Sequence, residues 1–391
     1  MDGISKAARL SMFHMLPSGG GARLAAQNLD ILKNRFVWSV NRVDGAVELP
    51  VPEGVPSRCH RFPGGGRLKG AARLFAPWVL RARLRAFRTV CRGVAKHMST
   101  EGDMALVHNS MVIAAPPVLD YLGIPSVYFC YEYPRHLYEK DCVHRTGSRL
   151  GDLLLLPLER AERREDAASM KNADRVVSFS PYMRGKLNAI YGVDSAMVFP
   201  GVDSSYFCPG GDWSVGTHLL SVGALWPFKG HDSAIRALSL LPRNRRPPLV
   251  IAADRQFPRY RKGLERLAER SGVNLSIVTN ISDEHLRDLY RNAMAVLCFQ
   301  INEPYGLVPL EAMACGRPVV ARDSGGLSDN VTPGENGLMF RNPVSEAAEL
   351  VSTIMESPGL ARTLGETGRS FVKRHRTAVQ SAERLAALLS C

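Results

Sequence analysis

Short apolar runs recur along the chain and alternate with longer stretches of helical period. They occupy 10–16, 105–108, 126–130 and 175–179, and then 219–223, 249–253, 275–278, 295–299 and 318–321. Runs of this length bounded by turn residues predict buried strands, and their alternation with helical segments predicts parallel sheets covered by helices. The two sets are separated by 200–213, where two prolines and three glycines fall close together like a linker. The fold class expected is therefore α/β, with two doubly wound, Rossmann-like domains. The boundaries predicted are 1–205 and 206–391, with a last helix over 376–391 that packs back on the first domain. Sheets of this kind bind ligands at the carboxyl ends of their strands, so a cleft between two such domains is the expected place for a site.

One helical stretch is basic. Leu80, Leu84, Phe87, Cys91 and Val94 repeat at helical spacing, and Arg81, Arg85, Arg88 and Arg92 form an adjacent stripe. No acidic residue lies between Glu53 and Glu101, so the segment 58–97 carries much of the chain's net charge of +13. Two readings stay open: a surface helix packed on its own domain, or a helix lying on an anionic membrane surface. Zinc-finger spacing, an RNP-like motif and a helix-turn-helix are all missing, so no nucleic acid partner is expected. The longest aliphatic run, 153–156, is far short of the ~20 residues a bilayer core requires. The first residues lack a basic start followed by an apolar stretch, so a cytoplasmic location is expected. The 8 cysteines include no C-x-x-C pair and no Cys/His cluster at zinc spacing, so no metal and no cofactor are expected.

Three loops carry candidate chemistry. The first strand runs into Pro17-Ser18-Gly19-Gly20-Gly21 ahead of a helical pattern over 23–33. Glycines there let backbone approach a phosphate, and a helix start favours an anion. The dinucleotide fingerprint fails because Leu24 stands where its third glycine belongs, which argues against a Rossmann oxidoreductase. The second loop, 221–230, places Lys229 just before Gly230 and a helix, suited to a phosphate, without P-loop spacing. The third is the densest: Glu303-Pro304-Tyr305-Gly306-Leu307-Val308-Pro309-Leu310-Glu311, then Gly316. Pro309 is expected in the first turn of a short helix together with Glu311, and Gly316 at its end. A continuous helix would separate the two glutamates by ~12 Å. Because Pro304 and Gly306 interrupt it, the two can converge on one ligand.

At these residues the chain resembles the family-4 retaining glycosyltransferases of the GT-B fold, which move a sugar from a nucleoside diphosphate. Glu303 and Glu311 fit that family's E-x7-E motif, Lys229-Gly230 its lysine loop, and Gly19-Gly20-Gly21 its N-domain glycine loop. The segments 173–178 and 198–203 look like two further landmarks, and the likeness spans nearly the whole chain. The resemblance implies an N-terminal domain for the acceptor and a C-terminal domain for the nucleotide sugar. It also implies a metal-independent hexosyltransferase with Lys229 and Glu303 catalytic. Gly20, Gly21, Gly223, Gly306, Leu307, Val308 and Glu311 would bind the donor, with Glu311 on its ribose. No D-x-D triplet, the usual cation handle of the other major glycosyltransferase fold, occurs in the chain.

Two positions depart from the pattern. Ala224 stands where the family commonly has an arginine, and Arg255 is the candidate substitute for that cation. Tyr131 stands where the family often has a histidine, which makes Glu132 and Arg135 candidates for acceptor or sugar contact. His14 and His108, near predicted strand ends, are read as structural. The function expected is sugar transfer to a glycan or lipid-linked acceptor in cell-surface polysaccharide or glycolipid synthesis, peripheral at the inner face of the membrane. The alternatives are a non-catalytic scaffold that binds a nucleotide sugar and a nucleotide-sugar epimerase of the same fold.

Overall fold

The computed structural model of the chain describes residues 7–63, 76–139, 142, 149–211, 216–254, 257–341 and 344–390. The chain divides into two compact units. The first comprises Met1–Phe179, Arg184–Val198 and Leu385–Cys391; the second comprises Ser180–Met183 and Phe199–Arg384.

The first unit begins with β1 (Arg9–Met15), α1 (Gly20–Leu32), β2 (Val37–Val43) and β3 (Ser57–His60). The long helix α2 (Ala76–Glu101) leads to β4 (Met104–Ser110) and β5 (Ser126–Phe129). Then come α3 (Arg135–Tyr138), α4 (Arg149–Asn172), β6 (Arg175–Ser178), α5 (Pro181–Tyr191) and β7 (Ala196–Met197). Among the described residues the strands form one parallel sheet in the order β3-β2-β1-β4-β5-β6-β7. Successive residues of β1, from Leu10 to Met15, are buried regardless of which face they point to, as expected of a parallel strand covered by helices on both sides.

The second unit starts with β8 (His218–Val222), α6 (His231–Ser239), β9 (Leu249–Ala253), α7 (Pro258–Ser271) and β10 (Leu275–Thr279). It continues through α8 (Asp283–Arg291), β11 (Ala293–Cys298), α9 (Leu307–Ala314), β12 (Val319–Arg322) and β13 (Leu338–Phe340). The helices α10 (Val344–Glu356), α11 (Pro358–His375) and α12 (Ala378–Leu389) close the chain. Its parallel sheet has the order β10-β9-β8-β11-β12-β13 among the described residues. Leu219, Leu249, Ile251, Leu297 and Phe299 from the strands meet Ile235, Leu238, Leu264 and Val351 from the helices in one core.

Both sheets reverse strand order once, between β1 and β4 in the first unit and between β8 and β11 in the second. Loops that leave two strands in opposite directions open a crevice at that switch point, which is where doubly wound sheets bind ligands. The glycine loop follows β1, and the lysine and glutamate loops follow β8 and β11. Each candidate loop therefore lies at the switch point of its own sheet.

Four strands fall outside the runs that the apolar pattern marks: β2, β3, β7 and β13. In β2 the apolar run is broken by Asn41, which is buried and donates to Ser11 Oγ at 3.1 Å. β3 is an edge strand with mostly exposed residues, and β7 has only 2 residues. The helix of the third loop also starts earlier than expected. Gly306, at φ 90°, lets the chain enter α9 at Leu307, so Pro309 is the third helical residue and Glu311 lies beyond the first turn.

In α2, Phe87, Cys91, Val94 and Met98 are buried in their own unit, while Arg81, Arg85, Arg92 and Lys96 are exposed. From Phe87 onward the apolar face is thus already covered, Leu84 is half-buried, and apart from Arg88, which pairs with Glu165, the basic stripe remains in solvent; the Leu80 side chain lies outside the described ones. The part of the basic segment at 64–75 lies outside the described residues.

Candidate functional site in the second unit

The site is built from two loops that the sheet brings side by side. β8 is followed by Gly223, whose φ of 148° turns the chain toward a short 3-10 turn, Pro227–Lys229. Gly230 then starts α6 in the left-handed region at φ 74°. A Cβ at Gly230 would fall 2.2 Å from the Phe299 carbonyl oxygen, so only glycine allows the loop to lie against the end of β11. Gln300, also buried, donates to the Val222 carbonyl and ties the same two strand ends together.

The loop after β11 carries Glu303. Its backbone forms a parallel bridge with Gly325, and the Gly326 amide donates to the Glu303 carbonyl at 2.6 Å. A Cβ at Gly325 would lie 2.5 Å from that same carbonyl oxygen. The Asp323-Ser324-Gly325-Gly326 turn is therefore a close-fitting brace for the glutamate loop. Ser324 Oγ accepts from the amide of Asn302, which is held at φ 50°, an unusual value for a residue that is not glycine. Tyr305 Oη donates to the Pro200 carbonyl at 2.6 Å, and Asn330 Nδ2 donates to the Tyr305 carbonyl at 2.8 Å. Neither side of this loop is free to drift.

With both loops fixed, Lys229 Nζ donates to Glu303 Oε2 at 2.7 Å. The two side chains are 20% and 17% exposed, so the pair is shielded yet reachable from solvent. Gly223 flanks it: a Cβ there would stand 3.5 Å from the Lys229 stem. On the other side α9 begins with no capping side chain at Gly306, which leaves the amides of Leu307 and Val308 at a bare helix start. An ammonium and an uncapped helix N-terminus each favour an anion, and the Glu303 carboxylate sets the orientation of the ammonium.

Glu311 is placed differently. It is buried within α9, and its Oε2 accepts from Tyr290 Oη at 2.7 Å. Tyr290 is itself fully buried against Phe207. Both Glu303 and Glu311 act electrostatically on the same buried thiol, Cys298, whose ionisation burial already suppresses. Lys229, Glu303, Gly223, Gly306, Leu307 and Val308 thus lie on the two loops that leave the switch point of this sheet, and Glu311 lies further along α9. Arg255 lies outside the described residues.

The first unit holds the remaining candidates. Gly20 opens α1, and a Cβ at Gly21 would stand 3.3 Å from the Tyr131 ring. Asn109 fixes that tyrosine's loop: its Oδ1 accepts from the Tyr131 amide at 2.8 Å and its Nδ2 donates to the Glu132 carbonyl at 2.7 Å. Glu132 is exposed. Arg135 is buried, and its Nε and Nη2 both donate to Glu139 Oε2, at 2.9 and 2.8 Å. His14 and His108 are fully buried, and their ring nitrogens meet no partner among the described residues. Burial, aided by Arg42, lowers His14 to about 4; burial, aided by His14, lowers His108 to about 3. Both are neutral imidazoles in the protein interior. No group of three or more His, Cys, Asp or Glu suited to a metal occurs among the described residues.

Several participants carry no signal in the sequence. Asn302 and Gln300 follow a strand with no distinguishing neighbour, and Tyr290 reaches Glu311 from another helix. His231 alone had a usable address, directly after the Lys229-Gly230 pair.

Residues 216–371 match the family model described as "Glycosyl transferases group 1". An uncharacterised glycosyltransferase of Methanocaldococcus jannaschii is 25% identical over 272 residues, covering 66% of this chain and 73% of that protein. A D-inositol 3-phosphate glycosyltransferase of Kribbella flavida is 33% identical over 216 residues, which is 50% of this chain and 51% of that one. The match thus spans about half the length of the latter relative. Among solved structures, HepE of Anabaena in complex with UDP-glucose superposes with a TM-score of 0.73 at 18% identity, covering 98% of this chain and 99% of that one. At that identity the likeness speaks for the fold. Residues 216–371 are thus similar to the glycosyl transferases group 1, and the chain has the GT-B fold.

Proposed function

We propose that the chain is a family-4 retaining glycosyltransferase that moves a sugar from a nucleoside diphosphate to a glycan or lipid-linked acceptor. The second unit takes the nucleotide sugar, and the first holds the acceptor. The observation that carries this reading is the shielded Lys229–Glu303 pair at 2.7 Å, on the two loops at the switch point of its sheet, the second of which leads into the uncapped start of α9. When the sugar bond breaks, negative charge builds up on the departing diphosphate. A fixed ammonium and the Leu307 and Val308 amides stabilise that charge where it develops, and they need no reorganisation to do so. Glu303, paired to Lys229, faces the transferring sugar. Glu311, held by Tyr290, takes the ribose hydroxyls. That the related HepE was crystallised with UDP-glucose supports a nucleoside diphosphate sugar as the donor class.

The reaction proceeds without a bound metal in this account, so transfer should persist in excess EDTA. The test is nucleoside diphosphate release and transfer across a panel of UDP, GDP and ADP sugars, with Lys229→Ala and Glu303→Ala alongside. Equal rates in all three proteins would favour a non-catalytic scaffold, whose specific support is Ala224 at the place of an expected cation and Tyr131 at that of an expected histidine. Product analysis without acceptor separates a nucleotide-sugar epimerase from a transferase.

The exposed face of α2 supports a peripheral membrane location at the inner leaflet. Because Phe87, Cys91, Val94 and Met98 are buried, attraction to anionic headgroups rather than insertion would hold the protein there. Leu153 and Leu156, exposed on α4, which packs against α2, would add an apolar contact. No helix among the described residues is long and apolar enough to cross a membrane.

A further inference from the structure

The Lys229 loop is held from behind by a side chain that has no part in the reaction described above. His231, the first residue of α6, is fully buried. Its Nδ1 lies 2.9 Å from Ser221 Oγ, and its Nε2 lies 3.3 and 3.2 Å from the carbonyl oxygens of Gly223 and Ala224. Carbonyls only accept, so Nε2 carries the proton and Nδ1 accepts from the Ser221 hydroxyl. Burial lowers the imidazole to about 4, which keeps this neutral form in place at neutral pH.

The consequence follows from peptide geometry. In a trans peptide the carbonyl and the next residue's N–H point in opposite directions. Turning the Gly223 and Ala224 carbonyls onto the imidazole therefore turns the Ala224 and Leu225 amides away from it. Among the described residues neither amide meets an acceptor, although Ala224 and Leu225 are both buried. Buried backbone N–H groups are rarely left without a partner, and successive amides facing one side make an anion-binding concavity. The Ala224 carbonyl also accepts from the Trp226 amide at 2.7 Å, which tightens the same turn. Gly223, next in the chain, lies against the stem of Lys229.

We infer that His231 is a positioning residue: locked by Ser221, it turns the Ala224 and Leu225 amides toward the diphosphate that Lys229 receives. This rests on the reading of the Lys229 loop as a diphosphate site. The backbone donors supplement the single ammonium of the loop.

The test is calorimetric titration of the full chain with UDP, GDP and ADP and with uridine, guanosine and adenosine, for wild type, His231→Phe, His231→Gln and Lys229→Ala. His231→Phe should weaken the preferred diphosphate about tenfold, as expected for two amide hydrogen bonds, and the matching nucleoside less than twofold. His231→Gln, which can present an N–H near the same carbonyls, should recover most of the loss. Diphosphate binding unchanged in His231→Phe, with Lys229→Ala weakened, overturns the inference and leaves the diphosphate reading standing. So does equal weakening of nucleoside and diphosphate, the mark of a merely structural role. Wild type that binds none of the three diphosphates overturns both. Should His231→Phe fail to fold, Ser221→Ala, which frees the imidazole to rotate, is judged by the same comparison, with a severalfold selective loss expected.

Discussion

Replacing Lys229 by alanine removes the side-chain cation that the loop after β8 brings to Glu303. The perturbation has two parts. In the free protein the ammonium holds Glu303 at 2.7 Å, and both groups are largely shielded. Losing the partner costs stability by about 1–2 kcal/mol, since the carboxylate retains some access to water. In the reacting complex the loss is larger. Two unit charges 4 Å apart at an effective permittivity of about 20 interact by ~4 kcal/mol, and Glu303 left bare beside a diphosphate adds repulsion. Removing a preorganised charge-stabilising donor typically costs ~10²–10³ in kcat. Initial rates of nucleoside diphosphate release at saturating donor should fall by that factor, with KM moving far less, because the charge is greatest in the transition state. Thermal unfolding, read in parallel, should drop by only a few degrees. Wild-type kcat in Lys229→Ala, or a loss confined to KM, would refute this reasoning.

The buried histidines make stability depend on acid. His14, His108 and His231 have folded-state pKa values well below the ordinary 6.5, so the unfolded chain takes up protons first. Their contribution is fully present above pH 6.5 and is lost as pH falls toward 4, at ~1.4 kcal/mol per pH unit for each group. Asp166 works the other way: burial raises it to about 6, so the fold is relieved as that carboxyl protonates below pH 6. His60 and His218, also lowered, stand against His136 and Asp329, which are raised, so the three deeply buried imidazoles leave a net loss; the urea midpoint should fall between pH 7 and 5, and a midpoint that rises would contradict the burial argument. Gly325→Ala should destabilise by more than about 2 kcal/mol and abolish transfer, because φ is +65° and the new Cβ would press on the Glu303 carbonyl; a folded, fully active variant would show that the brace is dispensable. Changing Arg81, Arg85, Arg92 and Lys96 together to glutamine should release the protein from anionic liposomes in low-salt flotation while leaving thermal unfolding within about 1 °C per residue changed. Wild type that stays in the soluble fraction removes the membrane part of the proposal.

Much of the architecture is legible in the chain because parallel strands covered on both faces must be apolar throughout. The runs at 10–16, 219–223 and 249–253 coincide with β1, β8 and β9 to within a residue or so at each end. Where a strand satisfies itself otherwise, the signal fades. β2 buries Asn41 through a hydrogen bond to Ser11, and β3 needs no apolar face at a sheet edge. The candidate site divides the same way. Lys229, Glu303 and Gly306 stand out locally, since glycines and prolines mark the turns that present them. The contacts that hold them do not stand out, because His231 to Ser221, Gly325 to Glu303 and Tyr290 to Glu311 are set by which strands and helices become neighbours. The burial of Arg135 with Glu139 is of the same kind: spacing places the pair on one helical turn but does not say which side faces inward.

The central claim is that the Lys229 loop and the start of α9 receive the diphosphate of a nucleotide sugar. A crystal structure of the protein with the nucleoside diphosphate it binds most tightly tests it directly. The account predicts phosphate oxygens within ~3 Å of Lys229 Nζ and of the Leu307 or Val308 amide. A diphosphate bound elsewhere, with the Lys229–Glu303 contact untouched, would contradict it.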